Sequence, residues 1–122
     1  MAQPTDILHQ LAQAILDGDA LQARAWAQEF YRHPELLAAA TPPPSTDANI
    51  LALSAGLVEL FAQRLDQRSP GWTQLVGPVP NPIYLLQAAH HMKHLRVLCE
   101  QQSPEPLRRR QLFAPPNYLE MV

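Results

Sequence analysis

The chain has little cysteine, little glycine and few charged residues, and each shortage excludes a class of protein. Its 122 residues include one cysteine, Cys99, which excludes an internal disulfide and fits a reducing compartment. Charged residues make up 16% of the chain and the net charge is −2, whereas dedicated nucleic-acid binders usually carry a strong basic excess. The four glycines form no phosphate-binding loop or dinucleotide fingerprint.

Long apolar runs are also missing. The longest nearly uncharged stretch, residues 50–62, is too short and too interrupted to span a bilayer. The first residues lack the basic region with which a signal peptide begins. We therefore expect a cytoplasmic protein with no membrane partner, in which residues 1–122 form a single domain.

The chain is rich in proline and in apolar residues that recur at helical spacing. Thirteen prolines break the sequence into segments whose apolar residues recur at helical spacing, and no segment alternates in the manner of a strand. The sequence therefore predicts an all-α fold, a compact bundle of about four main helices with a short helical C-terminal tail. The predicted helices cover residues 5–17, 19–33, 47–67, 82–102 and 104–112, and the tail covers residues 113–122.

The first two helices are expected to form an αα-hairpin. Thr5 is a candidate N-cap for the first helix, and Gly18 suits the left-handed position that follows a helix. Asp19, with Gln22 three positions later, forms a capping-box pattern at the start of the second helix.

The third helix is expected to lie at the centre of the bundle. Between Ile50 and Ala62 only Glu59 is charged, so the helix is apolar nearly all round. Its small residues at 54–56 would let a neighbouring helix approach closely. Asp47 is one of three consecutive candidate N-caps before it.

The last two helices share a start signal, a capping residue followed by proline at the first helical position. Asn81 and Pro82 supply it for a long fourth helix, and Ser103 and Pro104 supply it for the short fifth. Trp72 lies in the proline-rich loop before the fourth helix, where it is expected to anchor that loop to the body of the protein.

The stretch HHMKH at 90–94 is the strongest candidate for metal binding. His90 and His94 stand four positions apart, which would place both imidazoles on one helical face, as in zinc enzymes. The zinc-protease pattern requires a glutamate where this chain has His91, and no third ligand follows. We therefore predict histidines without metal, and no cofactor.

Catalytic motifs are absent from the rest of the chain as well. The two aspartates of DGD at 17–19 are explained by a turn and a helix cap, without a magnesium site. Ser54 and Cys99 lie in helices expected to be buried, where neither side chain makes a convincing nucleophile. We therefore predict that the protein is not an enzyme.

Three consecutive arginines, Arg108, Arg109 and Arg110, stand near the C-terminus of a slightly acidic chain. Residues 1–68 carry a charge of −4 and residues 69–122 a charge of +2. Successive helical residues point about 100° apart, so the three side chains cannot all face one ligand. Three interpretations remain open: pairing with acidic residues of the N-terminal half, a contact surface for another protein, and contact with phosphates.

If the tail is a contact surface, its apolar residues are the candidate anchors, since aromatic residues and arginine are favoured at interfaces. These candidates are Phe113, Tyr118, Leu119 and Met121. Trp72 is the second candidate contact site.

Several stretches resemble a group of small all-helical bacterial proteins. They are GDALQARAWAQEFYR, the segment 50–85 with Ser69-Pro70-Gly71-Trp72-Thr73, and the ending SPEPLRRRQLFAPPNYLEMV. The group's ending has phenylalanine where this chain has Tyr118. Such proteins are encoded beside nucleotidyltransferase-like genes in toxin–antitoxin-type or defence-type pairs, so the resemblance implies a non-catalytic companion that binds a partner enzyme.

The sequence thus predicts a non-catalytic protein-interaction or regulatory component with a protein partner, possible self-association and little affinity for nucleic acid. The alternatives are a nucleic-acid-binding module that uses the basic C-terminal half, and a structural homodimer.

Overall fold

A computed structural model describes residues 3–120 of the chain, and its architecture is predominantly helical. The helices are α1 (Pro4–Leu16), α2 (Ala20–Arg32), α3 (Glu35–Ala39), α4 (Ala48–Arg64), α5 (Lys93–Gln102) and α6 (Glu105–Arg108). Two single-turn 3₁₀ helices cover Gly71–Leu75 and Gln87–His90, and two short strands are β1 (Ile83–Tyr84) and β2 (Leu112–Phe113). The predicted all-α class is confirmed. Among the described residues, no helix is both long and apolar enough to cross a membrane.

The opening αα-hairpin forms as its sequence predicts. Asp19 caps α2 by accepting a hydrogen bond from the backbone N–H of Gln22 at 3.1 Å. Gly18 has a φ of 77°, a backbone conformation that is strained for residues with a side chain. The side chain of Gln87 also occupies the space that a Cβ at this position would need. The Thr5 cap is wrong: α1 begins at Pro4, and the Thr5 hydroxyl instead bonds the Thr41 hydroxyl at 2.6 Å.

Helix α4 lies at the centre of the fold, because every residue from Ala52 to Ala62 is buried. Asp47 is the N-cap, with its carboxylate accepting the Asn49 N–H at 2.9 Å. The predicted close approach is also present. A Cβ added to Gly56 would lie 2.8 Å from the Leu107 side chain and 3.3 Å from the Pro106 carbonyl oxygen, so α6 packs directly on this glycine.

The long fourth helix predicted for residues 82–102 is wrong in its first half. Ile83 and Tyr84 form β1, which pairs in parallel with Leu112 and Phe113 of β2. The N–H of Ile83 donates to the Gln111 carbonyl at 3.0 Å, so a distant segment takes the bonds that a helix would need. Helix α5 therefore begins only at Lys93.

The short helix predicted for residues 104–112 is also shorter than expected, since α6 ends at Arg108. Gln111 has a φ of 63°, which ends the helical turn and sends the chain into β2. Ser103 does not cap this helix with its side chain, because its hydroxyl donates to the Leu112 carbonyl at 2.9 Å. Helix α3 was not predicted at all.

Enlarging Gly56 is expected to destabilise the fold. Gly56→Val would push a side chain into Leu107 and Pro106, and such overpacking costs about 1–3 kcal/mol in the free energy of unfolding. Gly77→Val is the matched control, since a Cβ at Gly77 has no neighbour within 4 Å. Equal losses for the two variants in urea titrations would contradict the close packing of α6 on α4.

Candidate functional site

The guanidinium of Arg110 is buried, with 2% of the residue exposed. Its Nη1 donates to Glu59 Oε1 at 3.0 Å and to the Pro106 carbonyl at 2.8 Å. Its Nη2 donates to Glu59 Oε2 at 3.0 Å and to the Thr73 carbonyl at 2.7 Å, and its Nε donates to the Val76 carbonyl at 3.2 Å. These bonds use all five donors of the arginine and join α4, the Gly71–Leu75 turn and α6.

Glu59 also pairs with a second arginine, because the Nη2 of Arg109 donates a hydrogen bond to Glu59 Oε1. Burial on its own would raise the pKa of Glu59. Hydrogen bonds from Arg110 and Thr73 and the charges of Arg110 and Arg109 outweigh it, so the pKa of Glu59 lies below its ordinary value. Glu59 is therefore held as a carboxylate and binds two cations.

These contacts answer the question raised by the three arginines. Arg110 and Arg109 pair with an acidic residue of the N-terminal half, which confirms the first interpretation for both. The side chain of Arg110 is buried, so it is not accessible to a partner in this arrangement. Arg108 is exposed and donates to the Gln101 carbonyl at 3.2 Å, while Arg109 keeps 45% of its side chain exposed.

The C-terminal tail lies on its own chain and is held by Arg64. This arginine donates to the Tyr118 carbonyl at 2.6 Å, to the Pro116 carbonyl at 3.2 Å and to the Tyr31 hydroxyl at 2.9 Å. Tyr118 is buried, and burial raises the pKa of its hydroxyl. The side chain of Tyr118 is thus largely enclosed by its own chain, whereas Leu119 is half-buried at the surface. The candidate anchor Met121 lies outside the described residues.

The two remaining candidates are partly engaged within the chain. The Trp72 indole N–H donates to the Ala40 carbonyl at 2.9 Å, which confirms that this residue anchors its loop. Phe113 is half-buried in β2, and its ring lies 5.5 Å from the ring of Tyr84 in β1. Neither residue presents a wholly free aromatic surface.

His90 and His94 do not share a helical face. His90 ends the Gln87–His90 turn with its ring against Tyr84 at 5.9 Å, and His94 lies in the first turn of α5. Within residues 3–120, no three histidine, cysteine, aspartate or glutamate side chains lie together as metal ligands would.

An apolar cleft of about 480 Å³ opens beside the hairpin turn. Its walls come from three parts of the chain, namely the α1–α2 turn, the segment after β1, and the C-terminal tail. The residues that line it are Ile15, Gly18, Asp19, Ala20, Leu21, Ala23, Arg24, Leu85, Leu86, Gln87, Tyr118 and Leu119. Leu21 stands at this cleft with 84% of the residue exposed.

A second, polar pocket of about 320 Å³ lies at the ion pair itself. It is lined by Glu59, Ala62, Gln63, Gln67, Ser69, Gln74, Glu105 and Arg109. Glu59 in this pocket already binds two arginines, whereas Glu105 is an exposed carboxylate at its wall.

Sequence reasoning missed the residues that organise the site. Glu59 could have been found, because a lone charge in an otherwise apolar helix requires a buried partner. Arg64 and Leu21 carry no comparable signal, since each occupies an ordinary exposed position in a helical pattern. The cleft could not be predicted, because it exists only where residues 15–24, 85–87 and 118–119 meet.

Comparisons of the chain with protein-family models, with curated proteins and with solved structures give no match.

Removing one arginine should have a much larger effect than removing its neighbour. Arg110→Met leaves three carbonyls and a carboxylate of the interior without their donor, and breaking a buried pair costs about 3–5 kcal/mol in the free energy of unfolding. Arg109→Met, which removes a half-exposed partner of the same carboxylate, should cost no more than about 1 kcal/mol. Urea unfolding measures both, and similar losses would contradict the central role of Arg110.

Acid should remove the contribution of Glu59. Because the pKa of Glu59 is lowered on folding from 4.5, its stabilisation is fully present above that pH and is lost as the pH falls through the folded-state value. Glu59→Gln should therefore be clearly less stable than wild type at pH 7, with the difference shrinking below pH 4.5. The free energy of unfolding of both proteins across this range is the measurement. A difference that stays constant with pH would show that the charge of Glu59 is not its source.

Proposed function

We propose that this chain is a non-catalytic protein-interaction component that binds another protein through the apolar cleft beside Leu21. The single observation that carries the proposal is a nearly fully exposed leucine at the edge of an apolar cleft. Exposed apolar side chains are common one at a time, but an apolar hollow continuous with an exposed leucine forms a larger apolar patch, and such patches mark contact sites.

The lining of the cleft also suits apolar side chains of another protein. The cleft measures about 480 Å³, which lies in the range of binding pockets, and six large apolar or aromatic side chains line it: Ile15, Leu21, Leu85, Leu86, Tyr118 and Leu119. Exposed charges at Asp19 and Arg24 give the cleft a polar rim, as protein interfaces have.

The ion pair of Arg110 and Glu59 supports the same proposal, because its role is to hold the fold together. Arg110 and Glu59 satisfy each other and the surrounding carbonyls, which is the chemistry of a buried brace and not of a reactive group. By holding α6 and the start of β2 against α4, the pair positions the tail that forms one wall of the cleft.

Its partner, on the resemblance described above, is a nucleotidyltransferase-like protein from a neighbouring gene in a bacterial toxin–antitoxin-like or defence pair. Binding would act on such an enzyme sterically or by changing its conformation. Two of the three arginines are tied to Glu59, and the guanidinium of Arg110 is buried, which removes it from the basic surface that the nucleic-acid alternative would need.

Leu21→Asp is the test of this proposal. Co-expressed with the neighbouring gene product, the wild-type chain should co-purify as a complex, and Leu21→Asp should weaken the affinity at least about tenfold because a charge replaces an apolar contact. Isothermal titration calorimetry on the purified proteins gives the two dissociation constants.

Leu75→Asp is the matched control, since Leu75 is equally exposed, at 88%, but does not line the cleft. It should bind like wild type. An affinity that falls equally in both variants, or a wild-type chain that forms no complex, would contradict binding through the cleft.

A further inference from the structure

The polar pocket at the ion pair brings together two opposite charges that do not pair with each other. Glu105 and Arg109 both line it, and the backbone N–H of Arg109 donates to the Glu105 carbonyl at 3.0 Å, one helical turn away. Side chains at this spacing start about 5–6 Å apart on one face of a helix. Within residues 3–120, however, Glu105 makes no ion pair, and Arg109 pairs with Glu59 instead.

Arg109 is held in position by Glu59. Its Nη2 donates to the Glu59 carboxylate, which Arg110 in turn holds with two hydrogen bonds of 3.0 Å. Glu59 is the one acceptor that the Arg109 side chain meets among the described residues, so most of its five donors remain for a ligand. The side chain is 45% exposed, so a ligand can reach these donors. An arginine already fixed at one end loses little conformational freedom when it binds a carboxylate.

The other walls of the pocket are mainly polar and uncharged. Gln63 lies in the last turn of α4, and Gln67 and Ser69 lie in the loop that follows. Gln74 comes from the Gly71–Leu75 turn. The three glutamines are exposed, so their amides are free to donate hydrogen bonds to a ligand and to accept them from it. A volume of about 320 Å³ with this lining suits a small polar molecule.

The two charges disfavour a ligand with a charge of one sign. A simple anion would be attracted by Arg109 and repelled by Glu105, and a simple cation would experience the reverse. A ligand that carries both charges satisfies both side chains at once, with its carboxylate on Arg109 and its ammonium group on Glu105.

We propose that the polar pocket binds a free α-amino acid whose side chain is polar and uncharged. The ammonium and carboxylate groups of such a ligand are attached to one carbon, so they fit the short separation between Glu105 and Arg109. The ligand's side chain then lies among the glutamines. The pocket shares no lining residue with the apolar cleft, so this inference goes beyond the proposed function and does not depend on it.

The test is a titration of the isotopically labelled chain with L-glutamine, followed through its backbone amide resonances by NMR. Because the pocket is open to solvent, we expect a dissociation constant of about 1 mM. The saturable shifts should centre on residues 59–74 and 104–110. An absence of saturable shifts up to about 20 mM glutamine would overturn the proposal.

Simpler ligands test whether both charges and the polar side chain are needed. Acetate lacks the ammonium group and methylamine lacks the carboxylate, so each should bind at least about fivefold more weakly than glutamine. L-Leucine should also bind more weakly, since its side chain offers the glutamines no hydrogen bond. Acetate, methylamine or leucine binding as tightly as glutamine would overturn the proposed ligand class.

Two variants test the residues that bind the charges. Glu105→Gln and Arg109→Gln should each raise the dissociation constant for glutamine at least about fivefold. Arg108→Gln is the matched control, because Arg108 is an exposed neighbour that does not line the pocket, and it should bind like wild type.

Folding of the variants is verified by circular dichroism. Glu105 is exposed and makes no ion pair in the described part of the chain, so Glu105→Gln should fold normally. Wild-type affinity in Glu105→Gln, or an equal loss of affinity in Arg108→Gln, would overturn the assignment of the site.

Discussion

The buried guanidinium of Arg110 is the contact on which the second half of the fold depends. It meets a carboxylate of α4, carbonyls of the Gly71–Leu75 turn and of Val76 directly after it, and a carbonyl of α6, so a single side chain joins three segments of a largely apolar interior. Apolar packing alone would leave the orientation of these segments loosely defined, since the central helix is apolar on every side. Hydrogen-bond geometry is directional, and five donors aimed at five acceptors admit one arrangement. Replacing the pair by apolar side chains could preserve stability while losing this specificity.

The position of the C-terminal tail follows from that arrangement. Once α6 is held against Gly56 of α4, the chain passes through Gln111 and pairs β2 with β1. Arg64 then takes the carbonyls of Pro116 and Tyr118, so the tail returns to the far end of α4. There Tyr118 and Leu119 complete the cleft whose other walls are the hairpin turn and Leu86. The proposed contact site is thus held in place by the hydrogen bonds of Arg110 and Arg64, which are not themselves part of the cleft.

Sequence reasoning succeeded where local signals and burial agree. The hairpin is encoded by Gly18 and the Asp19 cap, and α4 by an uninterrupted apolar helical pattern after Asp47. Sequence reasoning failed for residues 82–92, where periodic apolar residues and the proline start signal predicted a helix. Leu85 and Ala89 of that pattern are indeed buried, but in strand and turn geometry, because Ile83 and Leu85 donate their N–H groups to Gln111 and Phe113.

The amino-acid sequence by itself determined the class of the fold, the hairpin, the central helix and the need for a partner of the lone Glu59, because each depends on neighbours within a few residues or on burial alone. Only the tertiary structure decided which arginines meet Glu59, where the tail lies and that a cleft exists beside Leu21. These features join residues separated by 30 to 100 positions, such as Glu59 with Arg110 and Leu21 with Leu119. Local propensity carries no information about such pairs, since they form only after the helices have packed.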